Sequence, residues 1–169
     1  GTLVWATRTL SPIAYKAVTC APDGTIYATG TFTRTITLDW PSILVAKHYP
    51  TTGMLEFAVL VGENMGAPPT QPGEVIQPGV KQDYLVAGCS AWDEPKSICW
   101  TPNGLIVTGT TANLPDTNTR AGVTFCMTER MGLRWFTTHD GNGGDDVLFD
   151  AVPTAEGIFT TGYTQRFGT

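Results

Sequence analysis

Asp23–Gly30 reads DGTIYATG, Asn103–Gly109 reads NGLIVTG and Glu156–Gly162 reads EGIFTTG, so one phrase occurs three times. A second trio keeps step with it: Gly1–Trp5 (GTLVW), Gly53–Phe57 (GMLEF) and Gly132–Phe136 (GLRWF). Gly30 to Gly109 and Gly53 to Gly132 are each 79 residues, while Gly109 to Gly162 is 53 and Gly1 to Gly53 is 52. The unit is therefore about fifty residues long, and the middle copy carries roughly 26 extra. Self-similarity at this period means stacked supersecondary units that cannot bury their surfaces alone. The chain is expected to be one array over 1–169, with units at about 1–52, 53–131 (insertion about 63–88) and 132–169, the last incomplete.

The 169 residues are 41% hydrophobic and 15% charged, with 19 Gly and 12 Pro, which is too apolar for disorder and too punctuated for helices. Short runs rich in Val, Ile, Thr and aromatics alternate with Asp-Gly, Asn-Gly, Thr-Gly and Pro signals, the grammar of hairpins. Strands are expected near Leu3–Arg8, Ala14–Ala21, Thr25–Phe32, Ile43–Tyr49, Met54–Val61, Ser97–Thr101, Leu105–Thr110, Val123–Thr128, Leu133–Thr138, Val147–Val152 and Ile158–Thr164. Ser42–Ala46 (SILVA) and Phe57–Val61 (FAVLV) are apolar at consecutive positions, so such strands bury both faces between other layers.

Four-stranded units that bury both faces against their neighbours are the blades of a β-propeller. Leu44–Lys47 (LVAK), Gly1–Trp5, His139–Asp146 (HDGNGGDD) and Asp23–Gly30 together resemble the repeat of bacterial β-propellers of the seven-bladed type. The resemblance covers nearly all of the chain outside the insertion. It implies an all-β, propeller-like array of about three four-stranded antiparallel blades, incomplete as a ring, and a scaffold for binding or display. An arc of this kind is expected to leave an apolar blade face and free strand edges at Leu3–Arg8 and Ile158–Thr164. Other protein subunits or flanking polypeptide would complete it.

A net charge of -5 argues against nucleic acid, and no apolar run is long enough to insert in a membrane as a helix. The insertion Glu63–Gly88, with Pro68, Pro69, Pro72 and Pro78, reads as a long surface loop whose tail, Tyr84–Ala87, resembles one more strand. Cys20, Cys89, Cys99 and Cys126 contain no CxxC pair; Cys20 and Cys99 stand at similar places in two units, as small buried residues. Trp5, Phe57 and Phe136 share a register and are expected to pack between units. Trp40 and Trp92 stand outside it, beside Pro41 and Asp93, and are the candidate ligand-binding residues.

Asp140, Asn142, Asp145 and Asp146 are calcium candidates on a Gly-rich loop, although the same residue types make tight turns. No other metal and no cofactor is implied. The chain has 2 His, His48 and His139, and no nucleophile elbow, P-loop or dinucleotide fingerprint, so it does not read as an enzyme. The leading expectation is a non-catalytic structural or adhesive module, extracellular, on a cell surface or virus particle. A carbohydrate-binding propeller lectin is the alternative, and a glycoside hydrolase-like enzyme using two carboxylates is the second alternative.

Overall fold

The computed structural model describes residues 5–6, 13–33, 41–61, 80–84, 93–112, 119–141 and 144–165. Regular structure among the described residues is β-strand, without helix. The first sheet contains β1 (Ile13–Cys20), β2 (Ile26–Thr33), β3 (Pro41–His48) and β4 (Leu55–Val61), each antiparallel to the next. The short β5 (Val80–Tyr84) lies parallel to β4 on its outer edge. The second sheet repeats the meander with β6 (Glu94–Thr101), β7 (Gly104–Ala112), β8 (Arg120–Met127) and β9 (Leu133–His139). The third has two strands, β10 (Asp146–Pro153) and β11 (Ile158–Thr164).

The repeated glycine has a steric cause. A β-bulge interrupts the first strand of each sheet, between Tyr15 and Ala17, Pro95 and Ser97, and Leu148 and Asp150. Gly30, Gly109 and Gly162 lie directly opposite Tyr15, Pro95 and Leu148, where the bulge brings the neighbouring backbone over them. A Cβ at these positions would meet the Tyr15, Pro95 or Leu148 Cα at 2.8, 2.8 and 2.9 Å and overlap the carbonyl of the residue before. Only glycine fits beneath this bulge.

The sheets stack in chain order, each turning one face forward to its successor and the other to the rear. The forward face of the first sheet (Tyr27, Ile43, Val45, Val59, Val61) and the rear face of the second (Ile98, Leu105, Val107, Val123, Phe125, Met127, Met131) form one cluster. The forward face of the second meets the third in a smaller cluster of Ile106, Cys126 and Ala151. Polar bonds mark the same seams: Trp100 N–H donates to Thr19 Oγ1 at 3.2 Å, and Ser97 Oγ donates to Asp150 Oδ1 at 2.5 Å. The rear face of the first sheet is buried as well, with Leu44, Ala46 and Ala58 at 0% exposure. Consecutive burial along β3, β7 and β8 is what strands covered on both faces require.

Several expectations change. The insertion holds a strand at Val80–Tyr84, a segment without proline that pairs with the β4 edge, which the four-strand meander leaves open; of the expected Tyr84–Ala87 strand, all but Tyr84 lies outside the described residues. β6 begins at Glu94, before Ser97, because Pro95 sits on the edge strand, where a missing N–H costs no ladder bond. Counting from the bulges, Tyr27 and Phe159 correspond to Ile106, and Thr19 rather than Cys20 corresponds to Cys99. Cys20 is exposed, Cys99 half-buried and Cys126 buried. Of Leu3–Arg8 only Trp5 and Ala6 are described, and they are in no strand. Trp40, Trp92, Asn142 and Cys89 lie outside the described residues.

Candidate functional site

Among the described residues the third sheet is the last of the stack. Its forward face and surroundings carry Phe149, Val152, Phe159 and Tyr163, with Val152 55% and Phe159 58% exposed. The position of Phe159 is held in the other sheets by Tyr27 and Ile106, which are 2% and 3% exposed because a following sheet covers them. Phe149 occupies the bulge where the other sheets place Lys16 and Lys96, and its ring packs at 5.8 Å on Tyr163. Lys16 and Lys96 both pair with Glu94, at 3.2 and 2.9 Å. Burial pushes the Glu94 carboxyl up, but the two ammonium groups outweigh it and hold it below the usual range. The bulge line thus changes from bridged charge to exposed aromatic at the third sheet.

Trp135 belongs to the same region. The bulges between β3 and β4 and between β8 and β9 set Phe57 opposite Lys47 and Trp135 opposite Cys126, one step before the shift in each case. Trp135, not Phe136, is therefore the counterpart of Phe57; the extra residue in the Pro50–Gly53 turn moved the glycine marker by one. Phe136 instead points to the rear, where it stacks on Phe125 at 5.8 Å and 16°. All three rings of the expected register are half-buried.

Turns cover two of these aromatics, Trp5 and Phe57. Trp5 lies on Gly53, where a Cβ would overlap its ring, and its Nε1 donates to Pro50 O at 3.0 Å. Phe57 shares a cleft of about 370 Å³ with Met131 of the β8–β9 turn. Gly53 and Met131 are matching turn residues with φ of 68° and 65°. Trp135 is 39% exposed.

The cleft itself is lined by Lys47, Glu56, Phe57, Val59, Glu129 and Met131 together with Arg130. Its carboxylates are engaged: Glu56 pairs with Lys47 at 3.1 Å, and Glu129 Oε1 accepts from Trp100 Nε1 at 3.1 Å. Lys47 also lies over the Phe57 ring at 5.8 Å. Tyr27 donates to Glu129 O at 3.3 Å, and burial, reinforced by Glu129, Asp23 and Glu56, pushes its hydroxyl up to about 12. An aromatic floor between charged groups can seat a polar ring, but paired acids are poorly placed to give or take a proton.

On the His139–Asp150 stretch, Asp145 Oδ1 accepts from Arg120 N–H at 2.9 Å and Asp146 Oδ2 accepts from Gly141 N–H at 2.5 Å. Two of the four calcium candidates thus tie the loop to backbone donors, as turn-forming aspartates do. Among the described residues no three His, Cys, Asp or Glu side chains converge. His48 is buried, its Nδ1 donating to Gly53 O at 2.9 Å, which leaves Nε2 to accept from Tyr15 OH at 3.0 Å. Burial raises the Cys99 and Cys126 thiols, which keeps them protonated and poor as nucleophiles.

The sequence marked Ile158–Thr164 as an edge with an apolar blade face but did not single out Phe149, Val152 or Tyr163, which follow no periodic apolar pattern of their own and gain a role only by comparison with the other sheets. No family model, no curated protein and no solved structure matches the chain.

Proposed function

We propose that the protein is a non-catalytic structural binding module, an arc of β-propeller blades that assembles with other protein chains or with further polypeptide. The observation that carries this reading is the third sheet, which has two described strands and leaves Phe149, Val152, Phe159 and Tyr163 in solvent, while Tyr27 and Ile106, the counterparts of Phe159, are covered. The common strand order, the bulge opposite glycine and the constant forward direction support the blade reading. An extracellular location, on a cell surface or virion, fits the low charge and the Thr-rich strands.

The test is association of the 169-residue chain, followed by light scattering across a concentration series. An exposed apolar face should give concentration-dependent association and binding of an apolar dye, both reduced in Phe159→Lys. A wild type that stays monomeric at high concentration and binds no more dye than Phe159→Lys would sink the reading.

A further inference from the structure

We propose that the cleft between β4 and the β8–β9 turn is a binding site for an acidic sugar of the hexuronate kind, held by its carboxylate on Arg130 and by its hydroxyls on Glu56 and Glu129. The site is independent of the assembly reading, because its walls belong to the first two sheets and their seam. The repeat supplies an internal control. Trp5 lies so close on Gly53 that a Cβ there would overlap its ring, and its Nε1 bond to Pro50 O draws ring and turn together. At the matching turn Met131 stands in place of glycine and keeps the left-handed backbone, φ 65°, that a residue with a side chain rarely adopts. Its side chain is 1% exposed in the core, and Phe57 has no side-chain N–H with which to bond the turn. The turn stands off and leaves about 370 Å³, within the span of roughly 300–1,000 Å³ usual for small-molecule sites. Backbone strain of this kind collects at ligand sites.

The charges of the cleft are not a requirement of the fold. Lys47 and Glu56 correspond to Cys126 and Arg134 in the second sheet, and Glu129 and Arg130 fall where the first turn has the uncharged Pro50, Thr51 and Thr52. Glu56 is fixed through Oε2 by Lys47, and Glu129 through Oε1 by the Trp100 indole, so each carboxylate keeps a second oxygen as an acceptor. Arg130 makes no hydrogen bond or ion pair among the described residues. Its N–H fork suits a planar anion, which a guanidinium grips through two parallel bonds. A carboxylate therefore answers Arg130, hydroxyls answer the two acids, and the wall of Phe57, Val59 and Met131 takes the C–H surface of a ring. An acidic sugar carries all three.

Trp100 is the reporter, because its indole N–H is bonded to a carboxylate of the cleft, and Trp5, bonded to Pro50, is the reference. Glucuronate is the probe, followed in proton–nitrogen correlation spectra at a protein concentration below the onset of association. It should move the Trp100 indole signal and saturate at about millimolar concentration, while glucose, which lacks the carboxylate, and acetate, which lacks the ring, should each bind roughly tenfold more weakly or worse. Arg130→Met, at an exposed position, should weaken glucuronate by about tenfold or more and leave the urea midpoint and the Trp5 signal unchanged. A Trp100 signal that glucuronate does not move well above millimolar concentration overturns the site. Acetate or glucose that matches glucuronate, or an Arg130→Met variant that binds as the wild type does, overturns its assignment to an acidic sugar. Self-association read by light scattering is a separate result, so this inference and the assembly reading stand or fall apart.

Discussion

Gly109 illustrates how a single residue carries the repeat. Alanine there must push against the Pro95 backbone, which cannot swing aside as a side chain can. Gly109→Ala is expected to cost about 1–3 kcal/mol, read as a lowered urea midpoint. Tyr27 gives a pH test. Its hydroxyl ordinarily titrates near 10 and is raised to about 12 in the fold, so its neutral form is favoured. That stability is complete below pH 10 and is lost as pH rises toward 12. Tyr27→Phe should flatten the fall in urea midpoint over this window, at a loss near neutrality of about 1 kcal/mol for the missing bond to Glu129. The glycines were legible as markers in the sequence, but their reason was not, since a bulge lies on the partner strand and leaves no signature at the glycine.

At the scale of elements, the two seams differ. Among the described residues the first seam buries thirteen core residues and the second three. The second also encloses Thr108 and Thr124, whose hydroxyls are buried without a partner. The third sheet should therefore part first: amides of β10 and β11 are expected to exchange faster than those of β7 and β8, and equal rates in native-state exchange would contradict this. Hairpin order and strand positions were readable because turn residues and β-branched runs act locally. Registers were not, because one extra residue in the Pro50–Gly53 turn shifts Phe57 onto Trp135, and β5 depends on a tertiary edge rather than on its own sequence.

For the whole molecule, the constant forward direction gives the stack a polarity. Among the described residues the rear of the first sheet buries Leu44, Ala46 and Ala58 and leaves Val18 67% exposed, while the forward side of the third is open at Val152 and Phe159. At each seam the forward face of one sheet meets the rear face of the next, so neighbouring sheets join head to tail through unlike surfaces and not as two-fold pairs.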